Sequence, residues 1–337
     1  MPALEPRTNP NLFGHDAAEA TLLDAIQGGR MHHAWLMIGP EGVGKATLAY
    51  RFARRLLAGR PTEPSLALPA THPVFRRVAA GSHADLMTVE RGINEKTKRM
   101  RMQIPVEDIR KINGFMSLTP AEGGWRVVIV DGADEMNQAS ANALLKILEE
   151  PPGKAILLLT CAAPGRLPAT IRSRCRRLRL NPLDDAAMAR VMDDIAPGLD
   201  PDERGRLVTL AEGSPGRALI LAEEEGLKLA AVVDKLLADL PHLPLTRAHD
   251  VADMLGRSDT GFSTFMDLLR AGIAAAVRES VRGRADGEQE RMVALRPLDA
   301  WGEVWQGLTR LQDETERFSL DKRQAIIAGL NLLSEKI

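Results

Sequence analysis

Lys45 is the residue of this chain best equipped for chemistry. It closes a run, AWLMIGPEGVGK, in which an apolar stretch, Ala34–Ile38, meets a turn carrying Gly39, Gly42 and Gly44. Ala46, Thr47, Leu48 and Ala49 follow with helical character. Strand, glycine loop and helix in that order make a phosphate-binding loop. The loop N–H groups and the helix N-terminus offer partial positive charge to phosphate oxygens, and Lys45 adds a full charge. One position departs from the pattern. The residue after the lysine should carry a hydroxyl for Mg²⁺, and here it is Ala46. Thr47 is a poor substitute, because one helical step turns a side chain by about 100°.

A second group of residues completes the requirement for nucleotide chemistry only in part. WRVVIVD, Trp125–Asp131, runs four apolar residues into an acid. Such a strand is buried and ends at the functional edge of an open α/β sheet. Asp131 is placed to hold Mg²⁺, directly or through water. Proteins that hydrolyse ATP on this architecture commonly carry Glu next, to orient the attacking water. This chain has Gly132, with Asp134 and Glu135 two and three residues further on. Thr160 or Cys161, closing the apolar run from Ala155, stands where a polar residue can sense a γ-phosphate. Basic residues gather at RSRCRRLRL, Arg172–Leu180, where Leu178 and Leu180 alternate with Arg177 and Arg179 as on an edge strand with a basic face. Cys161 and Cys175 are the only cysteines, so there is no disulfide framework, and both are expected to be small buried apolar residues.

The elements that must position these groups follow from periodicity. Phe13–Ile26 has helical spacing and Gly28-Gly29 ends it. His32 and His33 precede the first strand, and one packed and one exposed histidine is the ordinary expectation for adjacent residues there. Residues 59–84 are rich in Pro and Ala and read as a loop. Asp85–Glu90 reads as a strand, Val106–Met116 as a helix, and Ser140–Glu150 as a helix stopped by Pro151-Pro152. Residues 91–103, with Arg91, Lys96, Lys98, Arg99 and Arg101, fit a solvated loop as well as a nucleic-acid contact. After Pro182 the strand signals stop. Helices are expected at Asp184–Ile195, Pro201–Ala211 and Ser214–Glu225, the last with Ser214 as N-cap and Pro215 at its first position. From Gly226 to Ile337 the pattern is helical, with apolar stripes over Phe262–Val281 and Gln324–Leu333. A chain of 337 residues calls for two or three domains. The expected division is 1–182, 183–225 and 226–337.

Bulk composition narrows the function classes. The net charge is −1 and aromatics are 4%, which disfavours a nucleic-acid-binding module acting alone through residues 91–101 and 172–179. No apolar run approaches the ~20 residues of a membrane span, and MPALEPRTNP has no apolar signal core, so a cytoplasmic location is expected.

Taken together, SANALLKILEEPP (140–152), LPATIRSRC (167–175), IPVEDIR (104–110) and HHAWLMIGP (32–40) resemble the clamp-loader subunits of bacterial DNA polymerase III, of the AAA+ class. The resemblance covers roughly residues 10–225, and LEEPP with SRC at this separation is its most specific part. It implies an α/β AAA+ phosphate-loop domain with a parallel sheet, a small helical lid and an all-α collar. Motor members, gamma or tau, keep Thr after the loop lysine, an Asp-Glu pair, and four zinc-binding cysteines. Ala46, Gly132 and the missing cysteines place the likeness with the delta-prime branch, whose nucleotide site is degraded. His72 and His83, alone in the 59–84 insertion, cannot make a four-ligand site, so no zinc is expected. By the resemblance, Arg174 of SRC corresponds to an arginine finger reaching the ATP of a neighbouring motor subunit, and Arg217 to the second-sensor arginine. Gly39, Gly42, Gly44, Lys45 and Asp131 are the degenerate nucleotide site, which would hold ATP without hydrolysis. Implied partners are gamma/tau and delta, with the sliding clamp and primer–template DNA reached through the complex. The alternative is a self-sufficient ATPase of the motor type, supported by the retained glycines, Lys45 and Asp131.

Overall fold

The computed structural model describes residues 5–29, 31–59, 65–93, 100–223, 226–255 and 259–334. Two compact units form, residues 1–204 with 211–219, and residues 205–210 with 220–337.

The first unit is built on five parallel strands: β1 (Ala34–Ile38), β2 (Leu86–Val89), β3 (Arg126–Val130), β4 (Ala155–Cys161) and β5 (Arg176–Arg179), in the order β2-β3-β4-β1-β5. β3 and β4 are runs of Val, Ile and Leu because both of their faces are covered; every residue in them is buried. Helices α1 (Asp16–Gln27), α2 (Lys45–Leu57), α3 (Pro73–Ala79), α4 (Val106–Ser117), α5 (Gln138–Glu149) and α6 (Ala169–Arg174) surround the sheet. Ile109, Ile112, Leu144, Leu148 and Ile171 of α4, α5 and α6 form one core with Leu36, Val128, Leu157 and Leu159. α2 packs against β1, β3 and β4, with Phe52 meeting Trp35 edge to face. This is the α/β arrangement with a parallel sheet and a phosphate loop after its first strand that the motifs led one to expect. The loop follows β1, Asp131 follows β3, and Thr160 lies near the end of β4 between them, so all three reach the same carboxyl edge of the sheet.

Three local readings change. The 59–84 loop contains α3, seven residues long, with Pro73 at its start and the His72 ring capping Val74 N at 3.2 Å. Its buried Val74, Phe75 and Val78 are too few to stand out as a helical stripe. α1 starts at Asp16 rather than Phe13. His32 and His33 lie before the strand begins, so they do not point to opposite faces; their rings stack with centroids 4.5 Å apart and both are half-buried.

Helices α7 (Asp185–Ile195), α8 (Pro201–Ala211) and α9 (Pro215–Glu223) follow the sheet, and the division between units falls within α8 and α9. The second unit continues with α10 (Gly226–Ala238), α11 (Leu245–Leu255), α12 (Asp259–Val281), α13 (Gly287–Val293), α14 (Leu298–Phe318) and α15 (Lys322–Ser334). α12 packs on α10, α13 and α14, and α15 on α11 and α14. Trp301, almost fully buried, donates its indole N–H to Val293 O at 3.1 Å. Among the described residues no helix is long and apolar enough to cross a membrane.

Candidate functional site

The phosphate loop is formed and braced from outside. His15 sits at the entry to α1 and its Nε2 lies 2.8 Å from Val43 O. Ser214 Oγ donates to Glu41 O at 2.8 Å, and Gly216 N donates to Gly42 O at 2.9 Å. Three successive loop carbonyls are thus tied down, which leaves phosphate binding to the amides. The contact with α9 demands glycine on both sides: a Cβ on Gly216 would lie 2.7 Å from Gly42 Cα. Ser214 Oγ also accepts from Arg217 N at 3.2 Å, the N-cap bond expected of it.

Lys45 is buried and folds back on the loop, donating from Nζ to Gly39 O at 2.8 Å and Pro40 O at 2.6 Å. Burial lowers its pKa, while Asp131, Asp134 and Glu41 work the other way. Asp131 Oδ1 accepts from Thr160 Oγ1 at 2.5 Å, and the same hydroxyl accepts from Gly132 N at 2.8 Å. Thr160 therefore ties the end of β4 to the acid after β3. Asp134 accepts from Ala163 N at 2.7 Å, so it too is engaged by the loop after β4. Glu135 ion-pairs with Arg91 at 2.8 Å; burial pushes its carboxyl up to about 6, against the pull of Arg91.

These groups line a cleft of about 1030 Å³ together with Ala46, Thr47, Asn11 and Phe13. Its carboxylates are Glu41, Glu90, Asp131, Asp134, Glu135 and Asp194, against Lys45, Arg91 and Arg166. That balance opposes a triphosphate unless a divalent cation comes with it. The residues present fit the phosphates through the loop amides and Lys45. They do not fit Mg²⁺ in the usual way, because Ala46 supplies no oxygen and Asp131 is left as the single conventional ligand. Arg217 is not among the lining residues; its Nη1 bonds Glu212 at 3.2 Å, and among the described residues its buried Nη2 has no hydrogen-bond partner.

Arg174 lies apart from this cleft, in the last turn of α6. Its guanidinium pairs with Glu149 Oε1 at 2.9 Å and donates to Thr170 O at 3.1 Å. The two most specific motifs of the sequence therefore meet: Glu149 belongs to LEEPP and Arg174 to SRC. Cys175 is buried behind it, and burial pushes both thiols up to about 12, which keeps them unreactive. On β5 Arg177 and Arg179 are exposed, and Arg176 stacks over Trp35 with 4.8 Å to the ring centre. In the other basic run Arg91 is held by Glu135 and Arg101 by Asp108, while Lys96, Lys98 and Arg99 lie outside the described residues. His83 accepts from Asp85 N at 3.2 Å, a structural use like that of His72.

Residues 14–184, about half of the chain, match the family described as DNA polymerase III, delta subunit. The chain belongs to this family. The DNA polymerase III subunit delta' of Pseudomonas aeruginosa is 39% identical over 194 residues, 56% of this chain and 56% of that protein. The tau subunit of DNA polymerase III from Escherichia coli is 31% identical over 225 residues, 65% of this chain and 33% of its own length. The matches thus span just over half of the delta' relative and a third of tau. A solved gamma subunit-related protein of Thermotoga maritima superposes over 94% of this chain and 98% of its own, with TM-score 0.49 and 18% identity. The clamp-loader likeness carried by LEEPP and SRC, and its delta-prime placement from Ala46, Gly132 and the missing cysteines, are borne out. The braces from His15 and Ser214 and the Glu149 pair were not among the expected site residues. Glu149 had a signal in its place inside the quoted motif and Ser214 in its N-cap position, but His15 had none.

Proposed function

We propose that this chain is the non-hydrolysing delta-prime member of a DNA polymerase III clamp loader, and that Arg174 serves the ATP of a neighbouring motor subunit. Residues 1–182 act as the nucleotide-binding-like domain, 183–225 as the lid and 226–337 as the collar through which the subunits assemble. The partners are gamma/tau and delta; the sliding clamp and primer–template DNA are engaged through the complex, in the cytoplasm, without zinc. The observation that carries the reading is the pairing of defects in one otherwise formed site: no hydroxyl at Ala46 and no side chain at Gly132, beside Lys45 and Asp131. Phosphoryl transfer needs both the metal and an oriented nucleophile, whereas binding needs mainly the cradle. ATP is held weakly and uncleaved.

Two experiments test this. Co-purification with a motor subunit and delta, followed by DNA-stimulated ATPase with and without this chain, should give a complex whose turnover depends on it; failure to assemble would remove the reading. Labelled ATP titrated onto the purified chain should bind, weakly, and Lys45→Ala should abolish binding. No binding at millimolar nucleotide would refute retention. Steady turnover by the chain alone, lost in Lys45→Ala, would instead establish the motor-type ATPase, which the intact glycines, Lys45 and Asp131 favour.

A further inference from the structure

Position 132 has no side chain, yet the space in front of it is filled. A Cβ built on Gly132 would collide with Glu135 Oε2 and lie 2.9 Å from Glu135 Cδ. The geometry arises from one tight turn. Gly132 takes φ 77°, the chain enters a 3₁₀ turn over Ala133–Glu135, and Glu135 N donates to Gly132 O at 2.8 Å. A 3₁₀ turn stacks residue i+3 above residue i, so the Glu135 side chain returns over Gly132. Its carboxylate is then met by Arg91 Nε at 2.8 Å, arriving from just beyond β2 on the neighbouring strand. The backbone is fixed as well, since Ile104 N donates to Glu135 O at 3.0 Å.

We propose that Arg91 and Glu135 form a plug that occupies the root of the side chain absent at 132, so that the cleft is closed to a water-orienting carboxylate as well as lacking one. Glu135 is a positioning residue. Its carboxylate sits where a side chain at 132 would begin, not where a glutamate there would end, and its charge is engaged by Arg91. A side chain at 132 therefore requires the Glu135 carboxylate to move aside. The functional meaning rests on the non-hydrolysing reading above; the packing claim does not.

The test uses the full chain without nucleotide or partners, following the Glu135 carboxyl carbon by NMR titration and melting each variant. Wild type should titrate near 6. Gly132→Ala should expel the carboxylate and return its midpoint toward the ordinary range; an unchanged midpoint would overturn the proposal. Arg91→Ala, which strains no backbone, should raise the midpoint further; no change there would equally overturn it. The drop in Tm caused by Gly132→Ala should be larger with Glu135 present than in a Glu135→Ala background, because the positive-φ cost is common to both and the displacement is not. Equal drops would contradict the plug. A normal outcome here with no loader assembly would sink the clamp-loader reading alone, and the reverse would sink the plug alone.

Discussion

Ala46 and Gly132 each remove one contact that phosphoryl transfer needs, and they remove different ones. The first takes an oxygen from Mg²⁺, the second takes the carboxylate that would orient water. On the non-hydrolysing reading proposed above, either alone impairs turnover, and both together leave a cradle with little to drive the reaction. The acid that returns to the site, Glu135, carries a pH signature. Burial, together with Asp134, Glu41 and Asp131, raises its folded pKa to about 6, with Arg91 opposing. A carboxyl raised in the folded state binds more protons there than in the unfolded chain. Its contribution to stability is therefore present below the ordinary carboxylate range and lost as pH rises through about 6. Glu135→Gln should compare better with wild type at pH 7 than at pH 5 in denaturant midpoints. Parallel curves through that window would show that this group does not titrate as described. The defects at 46 and 132 are legible in the sequence because they are single-residue departures from a fixed pattern. The return of Glu135 is not, because it depends on a positive φ and a 3₁₀ turn that no spacing rule announces.

At the scale of elements, the site is positioned by strands whose order brings their carboxyl ends together and by helices whose caps fix where they start. α5 shows the second effect. Asn137 Oδ1 accepts from Ser140 N at 2.8 Å, and Ser140 Oγ donates to Ile104 O at 2.7 Å, tying the start of the helix to the segment before α4. Asn137→Ala should cost about 1 kcal/mol, within roughly 0.5–2, in a denaturant titration. A loss below a few tenths would mean the cap is redundant with the Ser140 bond. The far end of α5 matters differently, since Glu149 there pairs with Arg174 at the end of α6. In the core, Leu157 of β4 is wholly buried between two layers, and Leu157→Ala should cost about 2–5 kcal/mol by the same measurement. A cost under 1 kcal/mol would contradict the two-sided burial of that strand. Long buried strands and strongly periodic helices were readable from pattern. α3 was not, because seven residues starting at a proline leave too short a period to recognise.

At the scale of the whole molecule, the reading assigns this chain a role that it exercises on another subunit's substrate. Nothing within one chain needs Arg174 to be reactive. Its side chain is 37% exposed and its pair with Glu149 is a surface pair, worth about 0–1 kcal/mol to folding. Replacing it should leave the fold intact and change only what the assembly does. The family match covers residues 14–184, about half of the chain. The direct measurement is primer–template-stimulated ATP turnover by a loader reconstituted with Arg174→Ala. The account predicts the same amount of assembled complex and a clear fall in turnover. At the one motor site this chain serves, the loss should reach about 10³–10⁵-fold, the range of arginine fingers in other NTPases. Turnover equal to wild type, with assembly unchanged, would contradict it.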